Sequence, residues 1–529
     1  MSTYKVRTIK TTSKATAVQV VEYFNNKRNI VFHLGSASSK EDLELLKDAA
    51  LKWIDKNDPQ ASLFPLSQKC NAGSVAVLDK CEYLGFKYQL LYDTLWNLAV
   101  KFKFHLLPHS KILNDLVITR LVYPCSKVET FEFIAEFFGI NHSRRDFYRT
   151  LNNLLPLKDE VERKAIYVAK KYFDFSFNIV FYDLTTLYFE SFETDEIRKI
   201  GFSKDNKASN PQIMIGLLVN NQGFPVSYQV FPGNKFEGNT VEPAIVSLKK
   251  KYKIKQLTIV ADSAMISEKN IALLKNNDLD YIVGARMANL QLPIIQTISQ
   301  DLKQEDDKTV RITISGKDDL VCHFSQKRYN KDKRELEKQL ARAEEILKTP
   351  SKAEIIKRAK FLIRAGNQDD KNKKLNKNQN KEERKFELNQ NLIIKYKLLL
   401  GIKGYFTSHK TQNNTNNNTQ NYDLEIVNKY KQLWNVERSF KISKSDLKTR
   451  PIFHNKEQAI KTHILICFMA LAIAKYIEIK TRKSIKSAIK ELKKVTDARI
   501  YDKINKREFV MRSKMNDEVK KILEMISPH

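Results

Sequence analysis

The chain has 529 residues and a formal net charge of +31, with 92 lysines and arginines against 61 aspartates and glutamates. That length exceeds one ordinary core, so about two to four domains are expected. The charge excess repels itself unless a polyanion is a regular partner, which makes nucleic acid the first candidate and a generally basic surface the plainer account.

Cys70, Cys81, Cys125, Cys322 and Cys467 match neither a disulfide framework nor a zinc ribbon, so they read as reduced thiols in a cytosol. The start, MSTYKVRTIKTTSK, lacks the apolar stretch of a signal peptide. The longest apolar run, Ile464 to Ala474, falls short of the roughly 18 to 20 residues a membrane span needs and reads as a buried helix. A cytoplasmic protein with no membrane partner is expected.

Residues 1–109 form an N-terminal region that is a candidate for DNA contact. Within it, Ser39 followed by Glu41 and Asp42 opens a helix whose Leu43, Leu46, Ala50, Trp53 and Ile54 share one face. Residues 110–173 look wholly helical. In SKVETFEFIAEFF, a turn at Gly139 to His142, and SRRDFYRTLNNL, two helices flank a glycine-containing turn, with Arg144, Arg145 and Arg149 on the second. Such a unit reads DNA or merely packs as a helical hairpin.

The pattern changes at Phe177. FNIVFYD is an apolar run of strand length ending in Asp183, and such runs belong to central strands covered on both faces. QIMIGLLV and FPVSYQVF flank Asn220 to Gly223, a hairpin signal. Asn239 and Thr240 can cap a helix to about Tyr252. QLTIVAD is a further buried strand ending in Asp262, followed by a helix from about Ser267 and the strand YIVGAR. Three strands, a helix, a strand, a helix and a strand make the ribonuclease H order, in which the first and fourth strands are neighbours.

Residues 290–425 are more polar and read as an inserted domain. RITISG and DLVCHFS are short-strand candidates, and KRELEKQLARAEEILK is a charged helix with Leu336, Leu340, Ala343 and Leu347 as its apolar stripe. The stretches from Gly366 and from Thr411 read as low-complexity loops. KYKQLWNVERSFKISKSDLKTRP then reads as one helix from Lys429, held to a core by Trp434 and Phe440. Tyr430, Glu437 and Lys444 stand seven apart on it and share a stripe, because seven helical residues return to within about 20° of the same direction. Residues 426–480 complete the core and 481–529 form a basic helical tail. The fold class is therefore α/β: a ribonuclease H-like catalytic core with an inserted domain, preceded by a mainly helical N-terminal region.

Singly, Asp183 ends a strand, Asp262 caps a helix and Glu437 is half of a surface ion pair. Jointly, the strand order brings the two aspartates together and leaves Glu437 on a late helix aimed at them. Gathered carboxylates repel one another, and divalent metal removes the repulsion. Two magnesium ions, with manganese as the substitute, about 4 Å apart would suit phosphodiester chemistry on those three ligands.

YDLTTLYFES, IRKIGFSKDNKASNPQIMIGLLVN, FPGNKFEGNT, IVADSAMISEKN, YIVGAR and the YKQLW, VERSFK and KSDLKTRPIFH block resemble the DDE transposases of bacterial insertion sequences, in the insertion-sequence-four-like group. The family's last catalytic helix carries Tyr, two residues, Arg, three residues, Glu, six residues, Lys; Tyr430, Glu437 and Lys444 fit, and Leu433 stands at the arginine position. The resemblance implies metal-dependent cleavage at terminal inverted repeats, then strand transfer by the freed 3′-hydroxyl into target DNA, performed by a homodimer on the nucleoid. It assigns phosphate contacts to Tyr430, Lys441 and Lys444, with Arg438 or Lys441 standing in for the missing arginine. A transposase-derived DNA-binding protein and a nuclease that cuts without joining are the alternatives.

Overall fold

The computed structural model describes residues 4–11, 15–24, 27–57, 80–207, 209–263, 267–314, 318–348, 360–364, 386–410, 416–503 and 506–526. Cys70 and the low-complexity stretch at 366–385 lie outside the described residues. The chain forms two compact units, one of Met1–Ala99, Cys125–Phe147 and Lys480–His529, the other of Val100–Pro124 and Tyr148–Ile479.

The first unit corrects the expectation of a mainly helical N-terminal region. It opens with an antiparallel sheet of β1 (Tyr4–Lys10), β2 (Thr16–Phe24) and β3 (Lys27–Ala37) in that order. β-Branched residues recur through KVRTIK and TAVQVVEYF and favour the pleat over a helix. The helix Lys40–Asn57 covers one face, with Leu46 and Ala50 against Val18, Val20 and Leu34, and Trp53 stacked 5.3 Å from Phe32. Ser39 caps it, accepting from the Asp42 amide at 3.1 Å. A further strand, β4 (Cys81–Lys87), precedes the helical stretch. There Ser126 caps Lys127–Phe133, and the turn passes through Gly139 at φ 68°.

The second unit is built on a mixed sheet of eight strands. β5 (Ile179–Tyr188), β6 (Gln212–Val219) and β7 (Pro225–Pro232) run antiparallel, while β8 (Thr258–Ala261) and β9 (Asp280–Gly284) lie parallel to β5. β5 continues five residues past Asp183, because LTTLY keeps the β-branched and aromatic character of a strand. The expected single helix to Tyr252 is broken into a 3-10 turn at Glu237–Thr240, a π turn at Glu242–Val246 and an α-helix at Ser247–Tyr252, without a side-chain cap from Asn239 or Thr240.

From the region read as an insertion, β10 (Thr309–Thr313) and β11 (Asp319–Phe324) extend this sheet, and a small pair, β12 (Leu362–Arg364) and β13 (Phe386–Leu388), packs with the helix Gln326–Lys348. With β14 (Ile402–Thr407) the sheet order is β10, β11, β14, β9, β8, β5, β6, β7. The asparagine run does not stay a loop: a helix begins at Asn416 and runs to Lys431, while 411–415 lie outside the described residues.

The helix Glu457–Thr481 has 25 residues, longer than the apolar run suggested, and by length and composition alone it could cross a membrane. Here 94% of its most apolar stretch is buried in protein, which makes it a core helix of this structure. The tail, expected to be helical, returns to the first unit as the hairpin β15 (Asp497–Asp502) and β16 (Arg507–Arg512), with β15 pairing on β4, and only then forms the helix Asp517–Ile526.

Candidate active site

Register brings the two aspartates together. Tyr182 on β5 pairs with Ala261, the last residue of β8, in parallel, so the residues that follow, Asp183 within β5 and Asp262 just past β8, emerge as neighbours. The side chain of Asp183 is only 17% exposed. Burial first, then the charges of Asp262 and Glu437, push its carboxyl up to about 6, against the opposing pull of Lys204 and the Leu184 amide.

The folded pKa of Asp183 lies above its ordinary carboxylate value, so its contribution to stability is whole at low pH and is lost as pH rises to about 6. Asp183→Asn is therefore expected to flatten the fall in stability over that window. Without divalent cations at neutral pH it is expected to raise stability by at most about 3 kcal/mol. Denaturant titrations of both chains across that range check this, and equal slopes would refute it.

Asp262 sits just past β8 and accepts from the Ser263 amide at 2.6 Å and from the Tyr430 hydroxyl at 3.2 Å. Tyr430 is buried, with its ring 4.5 Å from that of Tyr405. Burial and the neighbouring Asp262 charge hold its hydroxyl protonated far above the ordinary phenol range, so it serves as a donor. Gly284, at the end of β9, gives it room: a β-carbon there would come within 2.6 Å of the Tyr430 hydroxyl oxygen.

The single helix expected from Lys429 to Pro451 is interrupted. The first helix ends at Lys431, tight bonds from Gln432 to Lys429 and from Leu433 to Tyr430 turn the chain, and a second helix runs from Trp434 to Lys441 before a π turn at Ile442–Asp446. Tertiary docking overrides the seven-residue stripe. Asn435 donates to the Asn221 carbonyl and Ser439 to the Gly223 carbonyl, both at 2.7 Å, fastening the helix to the β6–β7 turn. Phe440 is buried as expected, but Trp434 is 52% exposed and does not anchor the helix in the core.

Gly223 makes this docking feasible. Its φ is 78°, and a β-carbon there would lie 2.8 Å from the Asn435 carbonyl oxygen. Gly223→Ala is expected to cost about 1–3 kcal/mol through the left-handed backbone and the displaced helix. Urea denaturation checks it; a variant as stable as the parent would mean that the turn yields freely.

Glu437 lies on the exposed side of this helix, facing a cleft of ≈ 350 Å³ whose walls include Asp262, Tyr430, Leu433, Arg328 and Lys403. Asp183 is not among those walls, although its carboxyl feels both other acids. Among the described residues no three His, Cys, Asp or Glu side chains are gathered closely enough to hold a metal ion as they stand. The donor set nevertheless suits a hard divalent cation: three carboxylates in one another's field, with the most buried one disfavoured as an anion.

The remaining expected contacts are dispersed. Lys444 turns from the cleft and donates to Asp205 at 3.1 Å, which Arg450 also reaches at 3.3 Å. Arg438 pairs with Glu478 at 2.8 Å and lies over the Trp434 ring. Lys441 is exposed, as are Arg144, Arg145 and Arg149 on the helix Arg144–Asn152.

Two lysines beside the acids went unnoticed in the sequence. Lys204 donates to the Leu184 carbonyl at 2.7 Å, with its amine 3.2 Å from Glu237 and 4.0 Å from Asp183. Lys403 is a lone charge in the apolar run LLLGIKGYFT, and that isolation was a usable signal.

A family model described as "Transposase DDE domain" matches residues 175–473, more than half of the chain. Among solved structures, a piggyBac transposase synaptic complex with hairpin DNA is similar at 12% sequence identity and a TM-score of 0.36, covering 71% of this chain and 68% of that one. So loose a likeness carries no weight here. No curated protein matches the chain.

Proposed function

The chain belongs to the transposases with a DDE domain, and on that premise we propose that it binds the terminal inverted repeats of a bacterial insertion sequence, of the insertion-sequence-four-like group, and catalyses metal-dependent strand cleavage and strand transfer. On this reading residues 174–289, which hold β5 to β9, and residues 426–480 form a ribonuclease H-like core, and Asp183, Asp262 and Glu437 are its catalytic acids. The observation that carries the proposal is the register step that sets Asp183 and Asp262 side by side, with Glu437 in their field.

Members of this family generally use divalent metal ions. Asp183, Asp262 and Glu437 would hold two of them, magnesium or manganese, which when bound supply positive charge to the attacking and leaving oxygens of a phosphodiester. The chain's own groups prepare that site. Tyr430 orients Asp262 through its hydroxyl, Lys204 offsets the charge of Asp183, and the docked helix holds Glu437 on the cleft. Lys441, Arg438 and the exposed Arg144, Arg145 and Arg149 would meet phosphates of double-stranded DNA, at the element's ends or in the target. Lys444 and Tyr430 would do so only by leaving their present partners. The active form on DNA is a homodimer in the cytoplasm, associated with the nucleoid.

The test uses purified protein, magnesium and a duplex carrying the inverted repeats that flank the gene. Cleavage at the repeat followed by joining to a second duplex is expected. Cleavage without joining would make the protein a nuclease. One observation favours a second reading, DNA binding without catalysis: Leu433 lines the cleft beside Glu437 at the position where the family's arginine is expected. Salt-sensitive binding with no cleavage under magnesium or manganese would establish that reading.

A further inference from the structure

The cleft beside Glu437 has a cationic wall that the three acids do not account for. Lys403, on β14, holds its amine 4.6 Å from the centre of the Tyr430 ring and 5.7 Å from that of Tyr405. Among the described residues no carboxylate lies within ion-pair distance of it. Burial and the nearby Arg328 hold its ammonium below the usual lysine range, while Asp262 and Glu437 pull it back up. Arg328, in the first turn of the helix Gln326–Lys348, is 45% exposed, with its Nε 3.1 Å from Asp332.

Both cations line the cleft that holds Asp262 and Glu437. With Asp262 and Tyr430 they also line a second cavity of ≈ 370 Å³ that extends to Tyr396 and Lys360. A half-buried ammonium kept beside a guanidinium is unfavourable in isolation and becomes favourable when an anion enters between them. Leu433 stands on the same cleft with no charge to offer.

We infer that Lys403 and Arg328 together grip a non-bridging phosphate oxygen of the DNA strand lying over Asp262 and Glu437, in the place that Leu433 leaves without a cation. The inference rests on the transposase reading above. It makes the region between β9 and β14 a contributor to the site itself, since its helix carries Arg328 and its return strand carries Lys403.

The test has two arms on the full chain: binding to the inverted-repeat duplex across a salt series in chelator, and single-turnover cleavage in magnesium. Lys403→Met and Arg328→Gln are each expected to reduce the slope of log affinity against log salt, and the two together by about 0.9, the share of one phosphate. Each is also expected to slow cleavage by about 10- to 100-fold. Lys403→Arg should recover the slope, which a merely structural role would not require. Arg328 is exposed enough that its variant keeps the test open if Lys403→Met folds poorly. If the parent chain cleaves and neither slope moves, the inference is wrong and the transposase reading stands. If the parent chain neither binds nor cleaves, both fall.

Discussion

Asp262→Asn and Glu437→Gln are each expected to slow strand cleavage by on the order of 10³-fold or more, while salt-sensitive DNA binding changes by only a few fold. Both substitutions keep the shape of the side chain and remove its charge. In Asp262→Asn the new amide oxygen would still accept from the Tyr430 hydroxyl, so the local fold should survive and the loss should belong to the chemistry. Tyr430→Phe removes the orienting bond and leaves the carboxylate, so a smaller loss, about 10-fold, is expected. A gel assay with the flanking-repeat duplex separates the three. Should Asp262→Asn and Glu437→Gln cleave and join as fast as the parent, the catalytic assignment would fall, whatever the family.

The parts of this site that were legible in the sequence are those set by local pattern. FNIVFYD and QLTIVAD are short apolar runs that end in carboxylates, and a parallel pairing of buried strands leaves little freedom in where those acids go. The hairpin between β6 and β7 was equally plain from its turn residues. What the pattern could not reveal is what distant segments do to one another. The break at Gln432 and Leu433 follows from docking on Gly223, more than 200 residues upstream, and no helical periodicity reports that contact. Lys444 stands seven residues past Glu437 in sequence, yet the π turn after Lys441 takes it off that stripe and delivers it to Asp205. The N-terminal sheet carries its own signal, the alternation of β-branched with charged or polar residues in KVRTIK and TAVQVVEYF, but those runs are short and lie beside the stronger amphipathic pattern of the helix that follows.

Arg311→Met is expected to destabilise the second unit by about 3–5 kcal/mol, because it strips the partner from a buried carboxylate. Arg311, on β10, donates through Nε and Nη2 to Asp423 at 2.9 and 2.6 Å, and through Nη1 to Asp319 and to the His409 carbonyl, both at 2.8 Å. The Asp423 side chain is 4% exposed, and burial already holds its carboxyl above the ordinary range even with the guanidinium bound. Removing Arg311 pushes it further up, so the folded variant takes a proton that the unfolded chain does not. The penalty should therefore be smallest in acid, where Asp423 is neutral, and should grow as pH rises through the new folded value. The same pair moors the candidate site. Asp423 and Tyr430 stand seven apart on the helix Asn416–Lys431, so the face that Arg311 clamps also carries the hydroxyl that orients Asp262. Cleavage should therefore weaken together with stability in Arg311→Met, and a second change, Asp423→Leu, should restore much of the stability by removing the stranded charge. Denaturation at acid and neutral pH decides the matter: a penalty that stays constant with pH would mean that Asp423 finds another partner, and that the helix does not depend on this one.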